Sequence, residues 1–180
     1  MPRFITFTPN PALDIATSVD QLVDAHKLRC DAPQVYPGGG GINVARVLHR
    51  LGADVLALYA AGGSTGARVH ALLQAEGVPD EALAVAADTR ESFTVHERSS
   101  GREYRFVLPG PNLSASDWQA CLARLNTLEP FAAWVVSSGS LPPGVGDDGH
   151  AQVARLAQRR GARAVVDSAG PALQAALQVG

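Results

Sequence analysis

The sequence predicts an α/β fold in which a mostly parallel sheet is flanked by helices. Along most of the 180 residues, apolar strand-like runs alternate with segments of helical periodicity, the pattern of parallel strands joined by crossover helices. Four consecutive glycines, residues 38–41, open one helical segment. Two β-rich excursions, at about 14–36 and 90–108, interrupt the alternation, and we expect them to form a small extra sheet that covers one end of the domain.

The main elements follow one another regularly. Residues 3–8 read as a core strand that ends at the turn Pro9-Asn-Pro11. Further strands are predicted at about 54–59, 78–85, 132–137 and 162–167, and helices at about 42–51, 65–75, 114–128, 148–160 and 172–177. Within the second excursion, alternating residues on either side of a Ser-Ser-Gly-Arg turn predict a β-hairpin. No internal repeat or linker divides the chain, so we expect one domain over residues 1–180.

The helix after the glycines is the first candidate for a ligand site. One buried helical face is predicted from the i, i+3, i+4, i+7 spacing of four apolar residues and from two further apolar residues on the same face. The four are Val44, Val47, Leu48 and Leu51, and the two are Ile42 and Ala45. Glycines let backbone N–H groups approach a ligand closely, and a helix N-terminus adds unpaired N–H groups and positive charge. Asn43 can add a side-chain amide. Together these features predict a site for an oxygen-rich or anionic ligand.

Two common nucleotide motifs do not fit this stretch. The dinucleotide pattern Gly-x-Gly-x-x-Gly starting at Gly38 would need glycine at position 43, which is asparagine. The phosphate-loop pattern Gly-x4-Gly-Lys-Ser/Thr does not occur in the sequence.

Composition excludes several classes of protein. Hydrophobic residues make up 46% of the chain and charged residues 18%, which is typical of a globular protein. A net charge of −2 without a basic tract argues against nucleic-acid binding, and no apolar run is long enough to span a membrane. Cys30 and Cys121 match no metal-site spacing, so we expect free thiols and a cytoplasmic location. The five histidines show no metal-site spacing either.

Polar residues follow several predicted strands. Asp14 comes shortly after the first strand, Ser140 after the strand at 132–137, and Asp167 ends the strand at 162–167. The carboxyl ends of parallel strands are where α/β sheets bind ligands. The alternative for each residue is a local role, because such side chains also cap turns and helices.

Six stretches together resemble the ribokinase-like (PfkB) family of sugar kinases, and they spread over almost the whole chain. They are Leu13-Asp14, Lys27-Leu-Arg-Cys30, Pro37-Gly-Gly-Gly-Gly-Ile-Asn-Val-Ala-Arg46, Tyr104-Arg-Phe-Val107, Ser138-Gly-Ser-Leu-Pro-Pro-Gly-Val145 and Val166-Asp167-Ser168. The glycine stretch and the Ser-Gly-Ser-Leu-Pro-Pro-Gly stretch are specific to this family. The second and fourth stretches point to its phosphofructokinase-like branch.

The resemblance implies a ribokinase-like sheet with a β-sheet lid. The lid would be built from the excursions at about 14–36 and 90–108, and the protein would form a homodimer through it. It also implies that the sugar is held by Asp14, Gly38, Gly39 and Asn43. A carboxylate accepts hydrogen bonds from sugar hydroxyls, whereas amide and backbone N–H groups donate them.

A sugar-phosphate substrate also needs cations for its phosphate, and the resemblance implies that Arg90 supplies one. Lys27, Arg29 and Arg105 are lid candidates that reach the same site or that of a neighbouring subunit, although edge-strand charges of this kind also serve to prevent aggregation. Ser140 is a further candidate ligand of the phosphate.

The resemblance places the phosphoryl-transfer machinery beyond Gly180. The family carries an Asn-x-x-Glu stretch shortly after the strand that ends here at Asp167, and later a Gly-Ala-Gly-Asp stretch whose Asp is the catalytic base. Neither stretch follows Asp167 within the chain. We therefore expect the sugar-binding N-terminal portion of a kinase, without a catalytic residue and with an open sheet edge. Asp167 is the one candidate for contact with Mg²⁺.

The implied activity is ATP- and Mg²⁺-dependent phosphorylation of a sugar phosphate, with fructose 6-phosphate as the expected acceptor. Fructose 1-phosphate and tagatose 6-phosphate remain alternatives. A different class of function, a non-catalytic module that binds a sugar phosphate or mediates dimerisation, also remains open.

Overall fold

The computed structural model describes residues 3–179 and contains nine strands and five helices within them. In chain order the elements are β1 (Phe4–Thr8), β2 (Ala12–Val19), β3 (Gln34–Gly38), α1 (Gly40–Arg50), β4 (Val55–Ala61), α2 (Gly63–Ala75), β5 (Asp80–Ala84), β6 (Arg90–Glu97), β7 (Arg102–Val107), α3 (Ala115–Thr127), β8 (Trp134–Ser138), α4 (Gly149–Arg159), β9 (Arg163–Asp167) and α5 (Gly170–Leu177).

The main sheet has five strands in the order β5-β4-β1-β8-β9, and every neighbouring pair is parallel. β1 lies at its centre, and all but the first of its residues are buried. Ile5 and Phe7 are both inaccessible to solvent. The chain first builds the sheet from β1 towards β5 and later returns to the other side of β1 with β8. Strand order therefore reverses between β1 and β8.

Helices cover both faces of this sheet. One hydrophobic cluster joins α1 and α2 to residues such as Ala57 and Tyr59 of β4, and the other joins α3 and α4 to Leu58 and Ala60 of the same strand. Successive residues of one strand thus enter opposite cores, as the two-residue period of a strand requires. The predicted α/β fold with a mostly parallel sheet is confirmed.

Helix α1 buries only part of the predicted face. Its buried residues are Gly41, Ile42 and Ala45, whereas Val47 is 53% exposed and Leu51 is 77% exposed. The prediction that Val47 and Leu51 face the core is therefore wrong. The small residues decide the orientation, because a Cβ on Gly41 would stand 2.5 Å from Oγ1 of Thr8 in β1. The helix packs against β1 at this point, and Val47 and Leu51 turn outwards.

A second, mixed sheet has four strands in the order β3-β2-β6-β7. β2 pairs in parallel with β6, and the outer pairs β2–β3 and β6–β7 are antiparallel. The two strand pairs come from separate parts of the chain, residues 12–38 and 90–107. Asp14 lies within β2, opposite Tyr36 of β3 and Ser92 of β6.

The last elements are less enclosed than the rest. β9 is an edge strand of the main sheet, and its exposed and half-buried residues alternate. Helix α5 has no buried residue, and Leu177 is 70% exposed. Within residues 3–179, no helix is both long enough and apolar enough to cross a membrane.

Candidate functional site

The N-terminus of α1 lies where the strand order of the main sheet reverses. A Cβ on Gly40 would stand 2.1 Å from Oγ of Ser138, at the end of β8, and a Cβ on Gly41 would meet the end of β1. Side chains larger than hydrogen are therefore excluded at both positions. A helix N-terminus at such a switch point is the typical ligand position in an open α/β sheet.

A cavity of about 420 Å³ opens beside this helix terminus and continues under the second sheet. We call it the Asp14 cavity. It is bounded by the glycine turn and the first residues of α1 on one side, and by β2, β6 and β7 on the other. Its polar and charged lining residues include Asp14, Asn43, Arg46, Ser92, Arg90, Thr94 and Arg105, together with the backbone of Gly39 and Gly40.

The glycines make room for the Asp14 carboxylate. A Cβ on Gly38 would stand 2.2 Å from Oδ2 of Asp14, so any other residue there would displace the carboxylate. Gly39 has φ of +118°, a conformation that residues with a side chain rarely adopt, and its Cβ would stand 2.6 Å from Thr8. The glycine stretch thus sets the position of the carboxylate as well as that of the helix N-terminus.

The electrostatics of the cavity combine one carboxylate with three guanidinium groups. Burial raises the pKa of Asp14, while the charges of Arg90, Arg105 and Arg46 each lower it. Burial also lowers the pKa of Arg90, and the charge of Asp14 opposes that change. Within residues 3–179, no ion pair joins Asp14 to an arginine, so the carboxylate and the cations face the cavity without neutralising each other by direct contact.

Arg90 is held by two backbone carbonyl groups. Its Nη1 donates to the carbonyl of Leu108 at 3.1 Å and its Nη2 donates to the carbonyl of Asn10 at 3.2 Å. The Nε of Arg90 is buried and has no partner in the described part of the chain. The guanidinium is therefore fixed in position at the wall of the cavity and retains an unused donor.

A second cavity, of about 460 Å³, lies beyond the carboxyl ends of β8 and β9. We call it the Asp167 cavity. Asp167 and Asp147 line it, with Ser140, Ser168 and the start of α5. The hydroxyl of Ser138 donates to Oδ2 of Asp167 at 2.9 Å, which orients that carboxylate.

The structure brings together some of the predicted site residues and separates others. Asp14, Gly39, Asn43, Arg90 and Arg105 line the Asp14 cavity, and Gly38 contacts the Asp14 carboxylate from behind. Ser140 lines the Asp167 cavity instead, and its hydroxyl accepts a hydrogen bond from Nδ2 of Asn10 at 3.0 Å. Lys27 and Arg29 are exposed in the segment between β2 and β3 and do not line the Asp14 cavity.

Two further residues of this region did not stand out in the sequence. Arg46 lines the Asp14 cavity from the second turn of α1. Asn10 connects two parts of the site, because its carbonyl accepts from Arg90 and its side chain donates to Ser140. The position of Arg46, three residues after Asn43, could have indicated that both lie on the same side of the helix. No sequence signal points to the two contacts of Asn10.

Asp167 shares its cavity with one other carboxylate, that of Asp147. Within residues 3–179, no group of three or more histidine, cysteine or acidic side chains is arranged to hold a metal ion. The two carboxylates of the Asp167 cavity nevertheless fit the way in which Mg²⁺ is usually bound, by one or two carboxylates together with water and substrate phosphates.

Residues 9–179 match the sequence model of a protein family that is described as pfkB family carbohydrate kinase. The chain belongs to the pfkB family of carbohydrate kinases. It is 51% identical over 173 residues to an ATP-dependent 6-phosphofructokinase isozyme 2 from Mycobacterium tuberculosis, a match that covers 96% of this chain and 51% of that protein. A protein of the same name from Escherichia coli is 43% identical over 180 residues, which cover 100% of this chain and 58% of that protein.

The fold of this pfkB-family chain is also found in solved structures. The crystal structure of phosphofructokinase-2 from Escherichia coli in complex with fructose-6-phosphate superimposes with a TM-score of 0.94 at 43% sequence identity. The match covers 100% of this chain and 59% of the other. The chain thus spans about half the length of the curated relatives that it matches.

Proposed function

We propose that this chain is the acceptor-binding portion of an ATP-dependent sugar-phosphate kinase, and that its acceptor is fructose 6-phosphate, which is converted to fructose 1,6-bisphosphate. The observation that supports this proposal most strongly is the Asp14 cavity. A single carboxylate, a helix N-terminus and three arginines line one cavity. Hydroxyl groups suit the carboxylate and the N–H groups, and a phosphate group suits the arginines.

Each lining residue then has a distinct role. Asp14 accepts hydrogen bonds from two sugar hydroxyls, and the backbone at Gly38 and Gly39 and the amide of Asn43 complete the grip on the sugar ring. Arg90 and Arg105 bind the phosphate that does not react. Ser140, which is held by Asn10, approaches the same phosphate from the Asp167 cavity.

ATP and Mg²⁺ belong to the Asp167 side of the site in this proposal. Asp167 contacts the metal ion, which would neutralise the charge of the transferred phosphoryl group. Catalysis rests on positioning and charge neutralisation. In this proposal the described residues bind and orient the acceptor and supply none of the groups that transfer the proton from its hydroxyl.

The second sheet is proposed to act as a lid, with residues 14–36 and 90–108 as its two segments, and to form a homodimer. Its last strand, β7, carries large apolar side chains that are exposed in this chain. Phe106 is 51% exposed and Val107 is 61% exposed. An apolar face of this kind is typical of a surface that another chain covers.

In such a dimer, Lys27 and Arg29 extend towards the neighbouring subunit's phosphate. We expect Phe106→Asp to convert the dimer to monomers in sedimentation, with Val47→Asp as a control on an exposed apolar residue of α1 outside this sheet. An unchanged oligomeric state would contradict the proposed interface.

A cytoplasmic location completes the proposal, in line with a role in carbohydrate metabolism.

The proposed function is tested on the full-length gene product with ATP, Mg²⁺ and a panel of acceptors. We expect ADP release with fructose 6-phosphate at roughly 1–100 s⁻¹, the usual range of kinases, and a lower kcat/KM for fructose 1-phosphate and tagatose 6-phosphate. A higher kcat/KM for either of these would reassign the substrate. Binding of fructose 6-phosphate without turnover would favour the non-catalytic module.

A further inference from the structure

Arg46 is held tightly from outside the Asp14 cavity. Its Nε donates to Oε2 of Glu76 at 2.8 Å and its Nη2 donates to Oε1 at 2.6 Å. This is the bidentate geometry that makes arginine–carboxylate pairs both strong and directional. The Arg46 side chain is only 15% exposed, and the hydrogen bonds from Arg46 hold the pKa of Glu76 below its usual range. Glu76 follows the last turn of α2 and does not line the cavity.

The remaining nitrogen of the guanidinium points back to the glycine stretch. Nη1 of Arg46 lies 3.4 Å from the carbonyl oxygen of Pro37 and 3.4 Å from Oδ1 of Asn43. Since a guanidinium only donates hydrogen bonds, it selects the orientation in which the amide oxygen of Asn43 faces it. The reverse orientation would place two donors against each other. The Nδ2 group of Asn43 is then left for the cavity that Asn43 and Arg46 both line.

We infer that Glu76 and Arg46 are positioning residues of the acceptor site, which fix the side-chain amide of Asn43 as a donor towards the sugar. The order of the contacts is Glu76 at the end of α2, then Arg46 and Asn43 on α1. Glu76 thus affects the ligand from outside the cavity. This inference rests on the proposed function, because it assigns a donor to an acceptor sugar.

Arg50 offers a matched control. Its Nη2 donates to the same Oε2 of Glu76 at 3.2 Å, but its side chain is 64% exposed and it does not line the cavity. Replacing Arg50 removes a cation from Glu76 without touching Arg46 or Asn43. An effect that comes from charge alone would therefore be shared by variants at Glu76 and at Arg50, whereas an effect through Asn43 would not.

The test compares Glu76→Ala, Glu76→Gln and Arg50→Ala in the full-length gene product. By calorimetry with fructose 6-phosphate we expect Glu76→Ala to weaken binding at least tenfold, Arg50→Ala less than twofold, and Glu76→Gln by an intermediate factor because its amide oxygen still accepts from Arg46. In turnover assays the loss for Glu76→Ala should lie in KM. Equal affinities of Glu76→Ala and Arg50→Ala would overturn the inference.

A ligand-free measurement separates this inference from the proposed function. The side-chain NH₂ signals of Asn43 in a ¹⁵N–¹H correlation spectrum, assigned by their loss in Asn43→Asp, should move in Glu76→Ala and stay in place in Arg50→Ala. If the wild-type protein binds no fructose 6-phosphate, the proposed function fails. The Asn43 signals then remain as the test of whether Glu76 and Arg46 position the Asn43 amide. Asn43 signals that are unchanged in Glu76→Ala would refute it.

Discussion

The Asp14 cavity and the Asp167 cavity differ in charge and in enclosure. The first holds one carboxylate and three arginines. The charged residues that line the second, in the described part of the chain, are the carboxylates Asp147 and Asp167. The first therefore suits an anionic ligand, whereas the second repels phosphate groups unless a cation is present.

The Asp14 cavity is also the more enclosed of the two. The Asp14 cavity lies between α1 and the second sheet, so its walls are packed elements on two sides. The Asp167 cavity is bounded by the edge of the main sheet and by α5, which has no buried residue. These residues therefore enclose the acceptor side of the proposed reaction, whereas they line only part of its nucleotide side.

Removal of the Asp14 carboxylate should have the largest effect on the affinity for the acceptor. We expect Asp14→Ala to weaken fructose 6-phosphate binding by at least about 100-fold, because two hydrogen bonds to a charged group contribute roughly 1.5–3 kcal/mol each. Calorimetry gives the affinity, and a circular dichroism spectrum like that of the wild type shows that the variant is folded. An affinity within threefold of the wild type would mean that the sugar binds elsewhere.

Replacement of Gly38 should have the next largest effect. In Gly38→Ala the new methyl group would stand 2.2 Å from Oδ2 of Asp14 and displace the carboxylate, so we expect affinity for fructose 6-phosphate to fall about tenfold or more, the loss of one charged hydrogen bond. Gly146→Ala is a suitable control, since its nearest neighbour would be the flexible Asp148 carboxylate at 3.2 Å. Equal binding by the two variants would contradict the role given to Gly38.

The pH dependence of the free energy of unfolding gives a further test of the environment of Asp14. Because burial raises the pKa of Asp14, the folded protein binds its proton more tightly than the unfolded chain does. Ionised Asp14 therefore lowers the free energy of unfolding at neutral pH, and this loss is relieved as pH falls through the raised pKa. We expect Asp14→Asn to melt at a higher temperature than the wild type at pH 7, with the difference shrinking as the pH is lowered. A lower Tm at pH 7 would contradict this sign.

The smallest effect is expected in the second cavity. Asp167→Asn keeps the size of the side chain and an acceptor for the hydroxyl of Ser138. We therefore expect the affinity for fructose 6-phosphate to change less than twofold in calorimetry without nucleotide. A tenfold loss would show that the two cavities form one site for the acceptor.

The sequence allows the fold to be predicted largely because periodicity reports burial. The strands of the main sheet and the hairpin of β6 and β7 follow from alternating or continuous apolar residues. In α1, periodicity identified the buried Ile42 and Ala45 but not the outward position of Val47 and Leu51. Close contact of Gly41 with Thr8 orients the helix, and such a contact joins residues whose side chains carry no hydrophobic signal.

The site could be predicted only where its residues carry a recognisable pattern. The sequence indicates Asp14, the glycines, Asn43 and Arg90 as a set, and the structure places them around one cavity or against it. Arg46, Glu76 and Asn10 depend on contacts between distant parts of the chain, and residues of these types are common on protein surfaces. Such contacts become visible only when the elements are packed.

We propose that these 180 residues contain an acceptor site but only part of a nucleotide site. The test is calorimetric titration of the 180-residue chain with fructose 6-phosphate, and separately with ATP, in one buffer containing Mg²⁺. We expect saturable binding of fructose 6-phosphate, no binding heat with ATP, and little or no ADP release when both are present. Binding of ATP without binding of fructose 6-phosphate would contradict it.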